Sequence, residues 1–298
     1  MSLLVLDPGI DSRIVDLGRP RTRSLGVPVG GAADRHSFLL GNALLGNAAD
    51  APAIEFALKG PRLRADADVG CVVFGAPFDI FRGDNRIEAG RTFALRAGQE
   101  LRIGGTPRGM RAYLCVRGGF EAPTILASRS GLEPIRGNDV LRCPTSAIGS
   151  RWCAEVQCDF AADVITVHAL PGLQASWFDD ADFYDQEFTV SPASNRMGLR
   201  LKGAPLTMPK REMVSEPVAP GAVQVTNDGQ CIILGVDGQT IGGYPKIAHV
   251  IDADLDLLGQ MRPGQRVRFL RCTISDAVEM DRTARAELRR WTLRLENS

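Results

Sequence analysis

The sequence predicts a mainly β protein with a few helices, its strands closed into barrel-like sheets and arranged as two related lobes. Three observations carry this. Short apolar runs broken by Gly, Pro, Asn and Asp recur along the whole chain. Long amphipathic stretches are few, which favours closed β architectures over helical ones. A set of short segments also returns, in the same order, in the second half. At 298 residues the chain is long enough for two domains.

Taken in order, the first helix follows Asp34, a good N-cap. Phe38, Leu39, Asn42 and Leu45 then fall at helical spacing, and Gly46-Asn47 ends the run. Strands are expected over residues 69–74, 91–95, 100–103 and 111–116, with Asp139-Val140-Leu141 as the last strand of the first lobe. Residues 146–162 read as the connection. In the second lobe strands are expected at 164–169, 231–235 and 267–270, and a short helix from Asp254 to Met261 before the Pro263-Gly264 turn. A long helix over about 275–296 closes the chain, with Val278, Ala284, Leu288, Trp291 and Leu295 on one face.

The repetition is specific in its order. Ala33-Asp34-Arg35 is echoed by Ser194-Asn195-Arg196, and Leu58-Lys59-Gly60-Pro61 by Leu201-Lys202-Gly203-Ala204. Gly70-Cys71-Val72-Val73 is echoed around Cys231-Ile232-Ile233, and Leu95-Arg96-Ala97-Gly98-Gln99 by Met261-Arg262-Pro263-Gly264-Gln265. The first echo is offset by 161 and the second by 143, so the first lobe holds an extra segment after Asp34, the expected helix. The lobes are placed at 1–145 and 146–298.

Composition excludes several classes. Thirty-five basic residues balance 35 acidic ones, so a broad footprint for nucleic acid or an anionic membrane is not expected. No apolar window approaches a membrane span, and the first residues lack the basic region of a secretory signal. Seven cysteines at irregular spacing, several inside apolar strands, fit reduced thiols in a cytoplasmic protein, and the three histidines form no metal-ligand spacing. There is no nucleotide-binding loop, dinucleotide fingerprint or serine elbow, so ATP chemistry is not expected of this chain unaided.

The most informative stretch is Gly242-Gly243-Tyr244-Pro245-Lys246. Two glycines permit close backbone approach to a ligand, and Pro245 stiffens the turn. Only four of the 35 basic residues are lysines, and one stands here. A lysine is a compact, tunable point charge. Gln224 and Gln239 flank the same region; their amides both donate and accept, which suits a small amide, ureido or lactam group. Lys246 would meet a carboxylate or a developing oxyanion, and Tyr244 could stack or donate. In the first lobe Asp34 and Glu55 are candidate acids or bases, Asp34 also fitting a plain N-cap. Glu55, in the apolar run Ala53-Ile54-Glu55-Phe56, needs a partner in either role. Arg196, beside Ser194, presents a fork that fits a carboxylate.

With these residues assembled, the chain resembles the biotin-dependent carboxyltransferase family, also described as allophanate hydrolase subunit 2 or as the C subunit of 5-oxoprolinase. The family-like pieces are Asp16-Leu17-Gly18-Arg19, Gly26-Val27-Pro28-Val29-Gly30-Gly31-Ala32-Ala33-Asp34-Arg35, Gly41-Asn42-Ala43-Leu44-Leu45-Gly46-Asn47, Ser194-Asn195-Arg196-Met197-Gly198, Pro220-Gly221-Ala222-Val223-Gln224-Val225, and residues 239–248. The resemblance implies two tandem cyclophilin-like β-barrel lobes. It implies Lys246, Asp34 and Glu55 as catalytic candidates, and Gln224, Gln239, Tyr244, Gly243, Asn47, Ser194 and Arg196 as substrate-binding candidates.

As to activity, the resemblance implies a C-type component of an ATP-dependent 5-oxoprolinase complex, with a B-type partner of the kinase-inhibitor kind and an A-type one. One alternative is carboxyl transfer to urea or a related amide; another is a non-catalytic regulatory role. No biotin attachment site is present, so ATP or carboxybiotin would come through partner subunits. The chain departs from the family pattern at Val15, Gly131, Leu132, Pro217 and Gly238, and the polar groups lost at 15, 131, 132 and 238 favour the regulatory alternative.

Overall fold

The computed structural model describes residues 1–153 and 162–296. The chain is mainly β, with four α-helices among these residues. It divides into two compact units: residues 1–19, 34–160 and 287–298 form the first, and 20–33 with 161–286 the second.

The first unit contains β1 (Ser2–Asp7), β2 (Asp11–Val15), α1 (Arg35–Leu44), β3 (Ala53–Ala57), β4 (Arg62–Ala65), β5 (Val69–Gly75), β6 (Ile80–Arg82), β7 (Asn85–Ile87), β8 (Phe93–Leu95), β9 (Glu100–Ile103), β10 (Arg111–Val116) and β11 (Val140–Arg142). They form two sheets, β11-β1-β4-β9-β6-β7 and β2-β3-β10-β5-β8. Between them lies a core that includes Leu3, Val5, Ile54, Phe56, Val73, Leu101 and Leu114. β5 and β10 are buried at every position, and β5 accordingly reads as an unbroken apolar run, while β10 also carries the buried Arg111 and Tyr113.

The helix α1 begins where the sequence predicts. Asp34 accepts the Ser37 N–H at 2.9 Å and the Ser37 hydroxyl at 2.6 Å, and Gly46 takes φ 66° just past the end. The expected single apolar stripe is wider in the structure. His36 to Phe38 and Leu40 to Leu44 are all buried, as in a helix packed on several sides. Residues 146–153 do not form a free connection either. Ile148 packs on Gly70, and the Thr92 hydroxyl donates to the Gly149 carbonyl at 2.7 Å, so this stretch is sewn to the first unit. The remainder of the expected connection, 154–161, and with it Cys158, lies outside the described residues.

The second unit contains β12 (Val164–Pro171), α2 (Asp180–Tyr184), β13 (Glu187–Val190), β14 (Gly198–Lys202), β15 (Glu216–Pro217), β16 (Ala222–Val225), β17 (Cys231–Leu234), β18 (Ile241–Gly242), β19 (Lys246–Val250), α3 (Leu255–Gln260), β20 (Arg266–Arg271) and the first half of α4 (Ile274–Glu296), whose residues from 287 on cluster with the first unit. Seven of these strands close into a barrel, β12-β19-β16-β17-β14-β13-β20, with β12 and β20 parallel. β20 shows why: Val267 and Phe269 enter the core while the arginines between them face out. Phe183 and Phe269 stack inside with centroids 4.6 Å apart, and Phe188 meets the Phe269 ring edge-on.

Two differences from the sequence reading stand out. The segment 20–33 precedes α1 in the chain but clusters with the second unit. Its ties are specific: Gly30 N–H donates to the Val236 carbonyl at 2.9 Å, Arg196 to the Gly31 carbonyl at 2.7 Å, and Arg23 to the Val218 carbonyl. On α4 the expected face needs one change: Val278 is exposed, and the more covered positions run Ala277, Asp281, Ala284, Leu288, Trp291 and Leu295. The steps of three and four residues are those of one helix face.

Candidate functional site

The second unit builds its site on the outside of the barrel. Along β16, Val223 and Val225 enter the core, so strand alternation turns Ala222 and Gln224 outward. Opposite Gln224 stand Ile232 on β17 and Lys246 on β19. Ala222, Leu234, Val218 and Ile232 form a small apolar cluster on that face. A two-stranded ribbon, β15 paired with β18, covers it, with Glu216 facing Gly242. Gln224 is thereby only 1% exposed and Lys246 6%.

Lys246 is held from three directions. Its ammonium meets Glu216 Oε2 at 2.5 Å. Its backbone N–H donates to Gln174 Oε1 at 3.0 Å, and its carbonyl accepts the Gln174 N–H at 3.1 Å. Gln174 Nε2 completes the ring by reaching Glu216 Oε2 at 3.3 Å. The Lys246 hydrogen bond, followed by that of Gln174, holds the Glu216 carboxyl below its ordinary value. Gly172 permits this embrace: a Cβ there would stand 2.2 Å from the Lys246 carbonyl oxygen.

The glycines of the turn work through space rather than through left-handed φ, which neither Gly242 nor Gly243 adopts. A Cβ at Gly242 would lie 2.4 Å from Gln224 Nε2 and 3.1 Å from Gln239 Nε2, so two amide nitrogens converge over this Cα. Gln224 Nε2 is buried and has no hydrogen-bond partner. A buried amide nitrogen left unpaired is costly, and such groups call for an explanation. A cavity of about 350 Å³ lies on the Gln239 side of this turn, lined among others by Gln239, Gly243, Tyr244, Trp177, Arg211 and Asn227; Gln224 and Lys246 are not in its wall. The Arg211 guanidinium lies 5.4 Å from the Trp177 ring centroid. Gly238, one of the departures, sits where a Cβ would meet the Gly235 and Met197 carbonyl oxygens at 2.9 Å, so no side chain fits there.

The other candidates fall into place separately. The Arg196 fork is engaged by Asp237, Nε to Oδ2 at 2.7 Å and Nη2 to Oδ1 at 3.1 Å, besides the Gly31 carbonyl. Arg196 thus pins the 20–33 segment to the second unit. The Ser194 hydroxyl accepts the Arg200 N–H at 3.0 Å within its own turn. Asn47, in the first unit, donates to Asn42 Oδ1 and the Val116 carbonyl and accepts the Gly118 N–H, a clamp on the end of α1.

Asp34 and Glu55 are brought together through Tyr113. The tyrosine hydroxyl donates to Glu55 Oε2 at 2.8 Å and accepts the Asp34 backbone N–H at 2.8 Å. Arg111 Nε lies 3.4 Å from Glu55 Oε1. Burial first, then the Glu55 charge, pushes the Tyr113 hydroxyl well above its ordinary value, so it stays protonated as a donor. Cysteine chemistry is disfavoured for a similar reason: burial raises the thiol of Cys143 to about 11 and that of Cys231 to about 12. Among the described residues no group of three His, Cys, Asp or Glu side chains is placed to hold a metal.

Glu216, Gln174, Trp177 and Arg211 were not singled out by sequence reasoning. One signal was available: Glu216 lies in the Ser215-Glu216 pair of a family motif, here followed by Pro217.

Known proteins give this arrangement a context. Residues 25–271 match the family model described as carboxyltransferase domain, subdomain A and B. The chain is 33% identical to the 5-oxoprolinase C subunit of Escherichia coli (strain K12) over 99% of this chain and 100% of that protein. It is 36% identical to the 5-oxoprolinase C subunit of Haemophilus influenzae over 93% and 94%. The crystal structure of the Kluyveromyces lactis urea carboxylase superposes with a TM-score of 0.87 at 24% identity; the match covers 97% of this chain and 29% of that one, and it speaks for the fold. No helix among the described residues is long and apolar enough to cross a membrane. With the family model spanning most of its length and two full-length relatives above 30% identity, the chain belongs to the carboxyltransferase domain family, together with the C subunits of 5-oxoprolinase.

Proposed function

We propose that the chain is the C-type component of an ATP-dependent 5-oxoprolinase, working in the cytoplasm with A-type and B-type partners on a small lactam, 5-oxoproline, to give glutamate. The observation that carries this reading is the buried, unpartnered amide nitrogen of Gln224, the cross-strand neighbour of Lys246. A lactam offers what that pair lacks. Its carbonyl oxygen accepts from an amide N–H, and its ring carboxylate suits a cation. In this reading Gln224 and Gln239 hold the lactam amide, Lys246 supplies positive charge, and Tyr244 and Gly243 form the wall of the cavity.

Cleaving a lactam places negative charge on the carbonyl oxygen as its carbon becomes tetrahedral. Donors already fixed in a water-poor site stabilise that charge without reorganising. ATP and its phosphate chemistry come from the partners. Asp34, Glu55 and Asn47 act in this proposal by ordering the first unit, since their known contacts are to its own backbone and side chains.

The test is reconstitution with the A-type and B-type partners. The complex should hydrolyse ATP only when 5-oxoproline is present, and Lys246→Ala should abolish this. Full activity in that variant would remove Lys246 from the site. Carboxyl transfer to urea is a second reading, favoured by 28% identity to the urea amidolyase of Lachancea kluyveri, of which this chain spans 17%. Supplying carboxybiotin and urea to the purified chain separates the two.

A further inference from the structure

We propose that Glu216 is a resident counter-ion of Lys246, which the carboxylate of an incoming ligand displaces, so that Glu216 sets the affinity of the site for anionic ligands. The inference deepens the assignment of Lys246 as the group that meets substrate, and rests on it.

The pair is asymmetric. Lys246 is the only buried lysine of the four; Lys59, Lys202 and Lys210 are exposed. Its side chain is 7% exposed and its backbone is fixed on both sides by Gln174 and Gly172. Glu216 is different on each count. Its side chain is 39% exposed. It sits on a ribbon held by only two registered pairs, Glu216 with Gly242 and Pro217 with Ile241, and the proline offers no N–H to that ladder. Apart from the ammonium, the side-chain contact to its carboxylate is the 3.3 Å bond from Gln174. Glu216 can therefore swing into water and keep its solvation, whereas Lys246 cannot follow it. A buried ammonium left without an anion is strongly disfavoured. The pair will thus exchange one carboxylate for another rather than open alone.

What lies next to the pair fits a ligand that takes over this place. Gln224, whose Nε2 lacks a partner, is the direct cross-strand neighbour of Lys246. An anion that also carries an amide carbonyl can satisfy both groups at once. Acetate can satisfy only the first, and 2-pyrrolidinone, a neutral lactam, only the second. Glu216 should penalise the two carboxylates and ignore the neutral lactam.

The experiment measures binding by the side-chain resonances of Lys246 in protein labelled at lysine. With four lysines in the chain, its signal is identified by loss in Lys246→Arg. Wild type, Glu216→Gln and Glu216→Ala are each titrated with acetate, 5-oxoproline and 2-pyrrolidinone. Both variants leave Lys246 without its resident anion and are expected to lose stability, so each is titrated well below its own melting temperature. Removing its charge should tighten both carboxylates on the order of tenfold, between the effects of an exposed and a desolvated pair, and leave 2-pyrrolidinone unchanged. If both variants bind the carboxylates no tighter than wild type, or tighten the neutral lactam equally, the counter-ion role is overturned. If acetate tightens and 5-oxoproline binds none of the three proteins, the counter-ion role stands and 5-oxoproline falls as the substrate.

Discussion

Each unit contains a buried cluster built around one charged side chain, Glu55 in the first and Lys246 in the second, and the two differ in what surrounds that charge. In the first, the Tyr113 hydroxyl both donates to Glu55 and accepts from Asp34, and both Asp34 carboxylate oxygens take donors from Ser37. In the second, Lys246 has a single, part-exposed carboxylate, and the neighbouring Gln224 amide nitrogen has nothing. Fully paired buried networks rigidify a fold, while a buried donor without an acceptor costs free energy. In the reading proposed above, the Glu55 cluster is scaffold, and the Lys246 cluster, with the Gln224 amide nitrogen beside it, is the place that receives a ligand.

The largest expected effect follows from that contrast. Lys246→Met keeps an unbranched side chain only one heavy atom shorter and removes its charge. Turnover of 5-oxoproline by the reconstituted complex should fall by about a hundredfold or more, the scale of losing one preorganised charge-stabilising group. Thermal stability should change far less. A variant that melts early yet keeps its turnover would invert the comparison, making Lys246 the scaffold.

Tyr113→Phe is the matching challenge to the first unit. It removes the donor to Glu55 and leaves the Asp34 N–H without its acceptor, both buried. The expected cost is about 2 kcal/mol of stability, read by denaturant unfolding, with the affinity for 5-oxoproline unaltered. A loss of affinity at constant stability would show instead that Asp34 and Glu55 belong to the reaction.

How much of this was legible in the sequence differs between the units for the same physical reason. The N-cap at Asp34 is local, set by Ser37 three residues on, and was predicted from the sequence. The buried strands 69–75 and 231–234 announce themselves by apolar runs. Gln224, Gln239 and Lys246 stood out because glycines and a proline surround them. Glu216 and Gln174 did not, because the bonds that give them meaning span 30 and 72 residues. No local pattern encodes such a pairing. The 20–33 segment failed in the same way: its place depends on Arg196 and Val236, far along the chain.

Gly242→Ala sharpens the comparison from within the site. Its new methyl carbon would stand 2.4 Å from Gln224 Nε2, a side-chain end that must yield. The amide then leaves its position while the barrel beneath is untouched. A drop of about tenfold in affinity for 5-oxoproline is expected, the scale of one lost hydrogen bond to a ligand, roughly 1.4 kcal/mol. Gly172→Ala makes a useful contrast, since there the clash is with the Lys246 backbone at 2.2 Å and stability should suffer as well. If Gly242→Ala binds normally, the convergence of the two glutamine amides over Gly242 is incidental.

The smallest effect tests whether satisfaction really marks scaffold. Asp16, buried in the first unit, accepts the Ser128 and Ser130 hydroxyls, each at 2.7 Å, the Arg129 N–H at 2.5 Å and the Gly18 N–H at 2.8 Å. Burial alone would raise its carboxyl, but these donors together hold it below the ordinary value. A carboxyl whose folded pKa is depressed adds stability that is full above its unfolded pKa and disappears as pH falls through the folded one. Asp16→Asn should therefore cost about 1 kcal/mol near neutral pH, a typical hydrogen-bond increment. The cost should shrink below about pH 4, where the unfolded carboxylate takes up its proton, and vanish once the folded group is protonated too. Unfolding curves for wild type and variant should converge in acid and separate on the way to neutrality. A gap that stays constant across this range would mean the asparagine acts through shape and not through charge, and Asp16 would then be a packing residue whose four donors add nothing specific to the fold.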